Sequence, residues 1–595
     1  MIGAANLRPD KRAFSAEQYR ARLRFVLGAL MLIGLGLVAR AVDLQLLDEG
    51  FLEGQGDARF TRIAKLNANR GDIYDRNGEA LAASMPVDTV WAVPREVMKA
   101  ADQIRPLAEA LNRDENWLKQ VLSSNLERDF LYLVRHMRPS DAAQVKALKI
   151  PGIYLMREYT RFYPAGEVTG HLLGFTKKYE DIGQEGLELA YDRSLGAEAG
   201  EKRILQDRYG RIVQDVESIR APRPGSPLVT SIDLRIQYLA YRELKAAVQE
   251  HRAKAGSVVV LDIETGEVLA MVNQPSYNPN DREQVAPARY RNRAATDIFE
   301  PGSSIKPFVA AAALATGRFH GNTLIDTSPG YVNVGVHRIA DKSNLGPIPL
   351  TTVLAKSSNV GMTKMALQIT PDSMRQTLTG FGFGQVSGSG FPGESAGLLN
   401  DSMHWKRIGQ ATISYGYGLS VTPLQLAHAY ATLGSGGINR PVTLRRVDVP
   451  VPGEPVPGER VLDERVAHEL LGMMESVVSS QEGTGRRAAL AGYRVAGKTG
   501  TAWKAAAGGY GTQGTRKYIV TFGGVVPASN PRLAAIVVVD EPGGEAYYAG
   551  DVAAPVFANV MAGALRLIGV PPDGLEAQPP GAVLVQTTPG RVRTK

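Results

Sequence analysis

A chain of 595 residues is longer than one ordinary core. With 44% apolar and 22% charged side chains it has the composition of globular domains lying mostly in water, which excludes a multi-spanning membrane protein and a disordered chain. Its formal charge of +8 is the small excess of 68 basic over 60 acidic residues and calls for no nucleic-acid partner. Cysteine is absent, which excludes thiol nucleophiles and disulfides; the eight histidines (His136, His171, His251, His320, His337, His404, His428, His468) show no ligand-pair spacing, so neither a metal centre nor a cofactor is expected.

The first predicted element is a membrane anchor over residues 25–47. Phe25–Ala39 carries no charged or strongly polar side chain, and apolar character resumes after Arg40 through Leu47. That run is short for a span, but snorkelling of Arg24 or Arg40 to the interface extends it to about 20 residues. Arg8, Lys11, Arg12, Arg20, Arg22 and Arg24 precede it against Asp10 and Glu17, whereas Asp43, Asp48, Glu49 and Glu53 follow it. The asymmetry predicts a cytoplasmic tail over 1–24. Leu37-Val38-Ala39-Arg40-Ala41 is a poor signal-peptidase site, so the helix is expected to stay on the chain.

Beyond the anchor, Ala68–Ser84 predicts two short strands about a tight turn at Asp75-Arg76-Asn77-Gly78. Residues 95–150 show helical periodicity, as in Ile104–Leu111 and Trp117–Leu122, and predict a small helical insert. The glycines of Gly183-Gln184-Glu185-Gly186 predict turns. Three prolines and a glycine in Arg220–Pro227 mark the main boundary, separating a domain over 48–225 from a second over 226–570. In the second, Ile232–Glu250 predicts an amphipathic helix, and Ser257–Ile263 with Glu267–Val272 a hairpin through Glu264-Thr265-Gly266. Tyr518–Val526 and Ala534–Asp540 predict further strands. Strands at both ends with helices between them predict an α+β fold, a mostly antiparallel sheet covered by helices. The prolines from Pro571 onward predict a disordered tail over 571–595.

Three short motifs in the second domain bear chemistry. In Glu300–Phe308 (EPGSSIKPF) a Pro-Gly turn precedes Ser303, and Lys306 follows at i+3; a helix starting there puts amine and hydroxyl on one face at its positive end. A lysine serves as base only if burial or a neighbouring cation lowers its pKa. Ser357-Ser358-Asn359 is suited to presenting a hydroxyl and a carboxamide to a cleft. Lys498-Thr499-Gly500-Thr501, at the expected end of an edge strand, offers a cation, two hydroxyls and a glycine that permits close backbone approach.

The ordered set Ser-x-x-Lys, Ser-x-Asn, Lys-Thr-Gly resembles that of the penicillin-binding proteins and serine β-lactamases. Residues 25–560 resemble a class B penicillin-binding protein: a transmembrane helix, an elongated non-catalytic pedestal and a C-terminal transpeptidase domain of the penicillin-binding/serine β-lactamase type. Arg70-Gly71-Asp72-Ile73 with Asp75-Arg76-Asn77-Gly78 resembles the pedestal, and Ser414–Gly437 (SYGYGLSVTPLQLAHAYATLGSGG) resembles the division-specific, FtsI-type branch. The resemblance implies a bacterial inner-membrane enzyme, facing the periplasm at the septum, that cross-links peptidoglycan stem peptides with a D-Ala-D-Ala donor and is a target of β-lactams. It implies Ser303 as nucleophile, Lys306 as its base, and Ser357 as proton relay to the leaving D-alanine. Asn359 would hold the substrate amide and Lys306; Lys498, Thr499 and Thr501 would bind the terminal carboxylate. The oxyanion hole would be the N–H groups of Ser303 and Thr501, and Gly500 would let the donor lie along the strand. Implied partners are a SEDS-type glycosyltransferase (FtsW) and other divisome membrane proteins.

Other readings stay open: an elongation-type class B transpeptidase, a β-lactam-hydrolysing or sensing protein on the same fold, and a non-catalytic divisome scaffold. Ser414–Gly437 favours septation, the anchor and pedestal argue against a free β-lactamase, and the complete motif set argues against an idle scaffold. Trp503 and the glycine-rich stretch 505–515 depart from the pattern and leave inhibitor preference open.

Overall fold

Two apolar runs, Ser257–Leu261 and Leu533–Val539, become the centre of a five-stranded antiparallel sheet. In the computed structural model, which describes residues 16–43, 61–206, 212–448, 456–505, 509–510, 516–543 and 547–574, the sheet holds β1 (Ala255–Asp262), β2 (Val268–Gln274), β3 (Ala496–Trp503), β4 (Tyr518–Val526) and β5 (Leu533–Asp540). Their order is β2-β1-β5-β4-β3. The predicted hairpin is β1–β2, and Gly266 turns it with φ +74°. Both faces of β1 and β5 are buried, which is why these strands run apolar without polar alternation.

Six helices pack on or near this sheet: α1 (Leu234–Glu250), α2 (Lys306–Leu314), α3 (Asn359–Ala366), α4 (Pro423–Gly434), α5 (Glu464–Ser479) and α6 (Ala549–Leu567). Val258, Val260, Val537 and Val539 face α1 and α6, while Val259, Leu261, Ile536 and Val538 face α2, α4 and α5. The period-2 strand geometry thus splits one sheet between two cores. The helix expected from residue 232 begins at Leu234, because the Asp233 side chain caps it by accepting from the Arg235 N–H at 3.0 Å. Its buried stripe is Ile236, Ala240, Tyr241, Leu244 and Ala247. Gly563 lets α6 cross α1 closely; a Cβ there would stand 2.3 Å from Leu239 Cδ2.

Upstream in the same unit, Ile73–Tyr74 and Ala80–Ala92 form the expected hairpin. Asp75 Oδ1 ties its turn by accepting from the Asn77 and Glu79 N–H groups at 2.7 and 2.9 Å. The long strand Ala80–Ala92 pairs with Leu131–Met137 on one side and Ile153–Phe162 on the other. Helices Ile104–Ala110, Glu115–Ser123 and Pro139–Ala147 cover one face over Val90, Leu107, Leu118, Leu122, Leu133 and Val145. The helical insert expected over 95–150 therefore also contains a strand, Leu131–Met137. Its tertiary pairing with Ala80–Ala92 outweighs the helical periodicity around it. The Arg70 guanidinium, fully buried, donates to Glu188 at 2.7 Å and Asp192 at 2.7 Å, and Arg161 donates to the other Glu188 oxygen at 2.6 Å. Removing one member of such a set leaves buried charge uncompensated, at a cost of about 3–5 kcal/mol.

By contact density the chain forms two compact units, residues 69–197 with 224–595, and residues 1–68 with 198–223. The smaller holds the helix Ala16–Val42 and a three-stranded antiparallel sheet of Thr61–Leu66, Gly200–Gln206 and Ile212–Arg220, with Gly200–Gln206 in the middle. Tyr19–Val42, 24 residues whose most apolar 18-residue window has mean hydropathy 2.2 and no buried residue, is long and apolar enough to cross a membrane. Helical rise gives it about 36 Å against a hydrocarbon thickness of about 30 Å. Residues 44–47 of the expected anchor, 1–15 of the expected cytoplasmic tail and 575–595 of the expected disordered tail lie outside the described residues.

Candidate active site

The turn that carries Ser303 is built by backbone pairing with a second loop. Phe299 and Val421 exchange N–H···O bonds of 3.0 and 2.9 Å, and the Gly302 N–H donates to the Gly416 carbonyl at 3.1 Å. Gly416 adopts φ +93°, and a Cβ there would stand 1.9 Å from the Gly302 oxygen, so only glycine fits. One 3-10 turn, Gly302–Ile305, leads into α2, whose nine residues are all buried. This places Ser303 half-exposed on the cleft wall and Lys306 three residues on, with no exposed surface. From α4, the Tyr430 hydroxyl donates to the Ser304 carbonyl at 3.0 Å and supports the turn from below.

Lys306 meets the second motif directly. Its Nζ lies 2.6 Å from the Ser357 carbonyl, 2.8 Å from Asn359 Oδ1 and 3.2 Å from Ser357 Oγ. Burial pushes its pKa well below the ordinary lysine value, the neighbouring Lys498 cation lowers it further, and Asp341 opposes the shift in part. A neutral amine has two N–H donors and one lone pair. The carbonyl and Oδ1 can only accept, so they take both donors and leave the lone pair for a hydroxyl. Ser357 holds this position with φ +60°, a left-handed conformation unusual for serine.

Asp341, not singled out from the sequence, fixes the second motif. Its Oδ1 accepts from the Asn359 N–H at 2.6 Å and the Val360 N–H at 3.1 Å, and its Oδ2 accepts from the Ser358 hydroxyl. Ser358 in turn caps α3 by accepting from the Gly361 N–H at 2.8 Å. A carboxylate at this helix N-terminus is favoured by the aligned N–H dipoles.

The Lys-Thr-Gly-Thr run lies inside edge strand β3 rather than at a strand end, a correction to the expected placement. Its register against β4 pairs Lys498 with Gly523, Thr499 with Phe522, Gly500 with Thr521 and Thr501 with Val520. Lys498 is fully buried, and burial lowers its pKa to about 7. Its Nζ donates to the Thr499 carbonyl at 3.0 Å. A Cβ on Gly500 would stand 2.8 Å from the Pro301 oxygen and 3.1 Å from the Ser304 nitrogen. The missing side chain therefore admits the Ser303 turn against the strand. Thr501 Oγ1 accepts from the Ala549 N–H at 3.3 Å. A residue missed in the sequence, Thr484, adds a third hydroxyl: its Oγ1 lies 2.7 Å from Thr499 Oγ1, and its N–H donates to the Ala355 carbonyl at 3.3 Å.

These segments line one cleft of about 1310 Å³ that includes Ser303, Ser357, Asn359, Thr499 and Thr501, with Lys306 and Lys498 behind its wall. Arg338, Lys342, Lys356, Arg486, Arg487 and Arg516 outnumber Asp341, Glu482 and Asp551 in the lining, so the cleft favours an anionic ligand. Trp503 and Tyr417 also line it, and Arg516 sits over the Trp503 ring at 4.2 Å. Most of the glycine-rich stretch 505–515 lies outside the described residues. Among the described residues no cluster of three His, Cys, Asp or Glu side chains could hold a metal.

A half-exposed serine, a buried lysine whose pKa is lowered by burial and a cationic pocket lined by hydroxyls define an active-serine, acyl-transferring class of site. The family profile "Penicillin binding protein transpeptidase domain" matches residues 256–562, and "Penicillin-binding Protein dimerisation domain" matches residues 65–230. Over 577 residues the chain is 42% identical to the peptidoglycan D,D-transpeptidase FtsI of Escherichia coli, covering 96% of each protein. It is 39% identical to the probable peptidoglycan D,D-transpeptidase PbpC of Pseudomonas aeruginosa, covering 95% of this chain and 98% of that one. The transpeptidase domain of Burkholderia pseudomallei penicillin-binding protein 3 superimposes with TM-score 0.52 at 43% identity, covering 58% of this chain and 97% of that one. A peptidoglycan synthetase from Bifidobacterium adolescentis superimposes with TM-score 0.68 at 25% identity, covering 87% of this chain and 98% of that one. The chain belongs to the class B penicillin-binding proteins, those that join a dimerisation domain to a transpeptidase domain.

Proposed function

We propose that the chain is a septal peptidoglycan D,D-transpeptidase. The observation that carries this reading is the buried Lys306 amine, held between Ser357 and Asn359 with no carboxylate bound to it among the described residues. Ser303 Oγ attacks the carbonyl carbon of the penultimate D-alanine and gives its proton to the Lys306 lone pair. The N–H groups of Ser303 and Thr501 receive the oxyanion, and Lys498, Thr499 and Thr501 hold the terminal carboxylate. Collapse breaks the C–N bond, and the Ser357 hydroxyl passes a proton to the departing D-alanine amine. An amine of a neighbouring stem then attacks the ester, forms the cross-link and returns Ser303. A β-lactam amide enters the same first step, but its leaving group stays tethered.

The cationic lining of the cleft supports a carboxylate-bearing donor. Incubation of the full chain with a fluorescent penicillin should give one covalent adduct, located by mass on the peptide containing Ser303 and persisting for hours. An adduct elsewhere, or none on folded protein, would sink the reading; loss within seconds would favour a β-lactamase.

In this reading residues 48–225 form the pedestal and 226–570 the catalytic domain, on the periplasmic side of the inner membrane at the division septum, with the N-terminus in the cytoplasm. The anchor and pedestal meet a SEDS-type glycosyltransferase (FtsW), and the pedestal meets other divisome membrane proteins. Exchanging residues 25–47 for an unrelated membrane-spanning helix should abolish co-purification with that glycosyltransferase; undiminished recovery would refute the anchor's part.

A further inference from the structure

Glu300, at the start of the first motif segment and three residues before Ser303, has no role in the motif chemistry, yet this half-buried residue reaches two other segments of the site with its carboxylate. Oε1 accepts from the Gly418 N–H at 2.9 Å, which extends the backbone pairing of 299–302 with 416–421 by one side-chain bond. Oε2 accepts from the Tyr510 hydroxyl at 2.8 Å. Tyr510 stands on the chain that continues from β3, the strand carrying Lys498–Thr501. Burial and the Glu300 carboxylate both raise its pKa, so the phenol keeps the proton it donates. The Tyr417 ring packs edge-on to Tyr510 with centroids 5.5 Å apart, and its hydroxyl accepts from the Trp503 N–H at 3.0 Å. Beside this cluster β3 and β4 stay joined beyond their ends: the Lys504 N–H donates to the Lys517 carbonyl at 2.8 Å, and both lysine side chains pair with Glu541.

We infer that Glu300 is a positioning residue for acylation: its two carboxylate oxygens hold the Ser303 turn to Gly418 and Tyr510, beside Tyr417, whose hydroxyl in turn accepts from Trp503 at the end of the Lys-Thr-Gly strand. Ser303 comes from a turn that follows the loop 297–301 and is paired to 416–421 by only a few backbone bonds, and Thr501 comes from an edge strand with one paired side. The N–H groups meant for the oxyanion belong to these two segments, and a displacement of about 1 Å between them costs orders of magnitude in rate. Both bonds to Glu300 are charge-assisted, and neither lies where a ligand carboxylate would bind. Loss of the carboxylate should therefore slow bond formation without weakening the encounter. This inference rests on Ser303 being the nucleophile.

The test is time-resolved labelling of the full chain in detergent over a range of fluorescent penicillin concentrations, which separates the limiting acylation rate constant from the half-saturating concentration. Glu300→Ala should lower the limiting rate constant about 10–100-fold and leave half-saturation within about twofold. Glu300→Gln should recover most of the rate, because its amide oxygen still accepts from Gly418 and its NH2 can donate to Tyr510. Tyr510→Phe should cost about 3–10-fold, and adding it to Glu300→Ala should cost nothing further. An unchanged limiting rate in Glu300→Ala, a change confined to half-saturation, equal loss in the Gln and Ala variants, or additive losses in the double variant would each overturn the inference. If the wild type forms no adduct at Ser303, the proposed function fails and this inference falls with it; if only the Glu300 and Tyr510 variants behave like wild type, the inference alone fails.

Discussion

Replacing Lys306 by methionine is expected to slow acylation of Ser303 about a thousandfold or more while the chain stays folded. The side chain is fully buried, and methionine matches its length without bringing a charge. Arginine at the same position should be as inactive, because a guanidinium keeps its proton and offers no lone pair. The wild type should carry a matching pH signature. Only the neutral amine can take the Ser303 proton, so the rate should rise with pH through the Lys306 pKa and level off above it. Burial and Lys498 lower that pKa, which moves the plateau to lower pH than an exposed lysine would allow. A pH–rate profile for penicillin acylation checks this, and a rate that falls with rising pH would contradict Lys306 as base.

Lys498→Met should separate stability from function in the opposite sense. The folded chain holds Lys498 with a pKa lowered by burial to about 7, whereas the unfolded chain offers it water and an ordinary value of about 10.4. Between these values the unfolded state binds more protons, so stability rises with pH across the window and the full cost of the buried amine is present below its lower edge. Methionine removes that cost. The variant should be more stable than wild type by about 1–3 kcal/mol at pH 7 and below, with the difference shrinking toward pH 10. Its second-order acylation rate constant should fall about 100-fold, because the carboxylate pocket loses its cation. Urea unfolding at several pH values, with penicillin labelling at pH 7, tests both halves; a variant less stable than wild type at pH 7 would refute the account of Lys498.

What could be read from the sequence follows from how local the physical cause is. The turn at Asp75–Gly78, the capped helix α1 and the β1–β2 hairpin each depend on neighbours within a few residues, and each appears where expected. The motif residues are legible because Ser-x-x-Lys, Ser-x-Asn and Lys-Thr-Gly occur in order within one domain, a set that resembles the penicillin-binding proteins, whereas the Ser303–Lys306 spacing alone is a weak signal. Asp341, Thr484 and Glu300 are not legible, since each does its work on a segment far along the chain: Asp341 on Ser358–Val360, Thr484 on Thr499, Glu300 on Gly418 and Tyr510. No periodicity or composition marks a lone carboxylate or hydroxyl that finds its partner only after folding. The same holds for Leu131–Met137, whose strand character comes from Ala80–Ala92, and for the pairing of Thr61–Leu66 with Gly200–Gln206.

The order of the central sheet has a consequence for how the enzyme comes into being. β1 lies beside β5, and the edge strand that carries Lys498–Thr501 reaches β1 only through β4 and β5. A ribosome releases β1 and β2 well before β5, so the second edge of β1 stays unpaired until residue 540 has emerged. Ser303, made early, has no Thr501 beside it until then. Long-range pairing of this kind is slow to form and leaves apolar edges open in the meantime, which exposes the nascent domain to aggregation. With the roles proposed for Ser303 and Thr501, a truncated or half-folded chain is expected not to react with a stem peptide, and acylation competence should arrive with completion of the sheet.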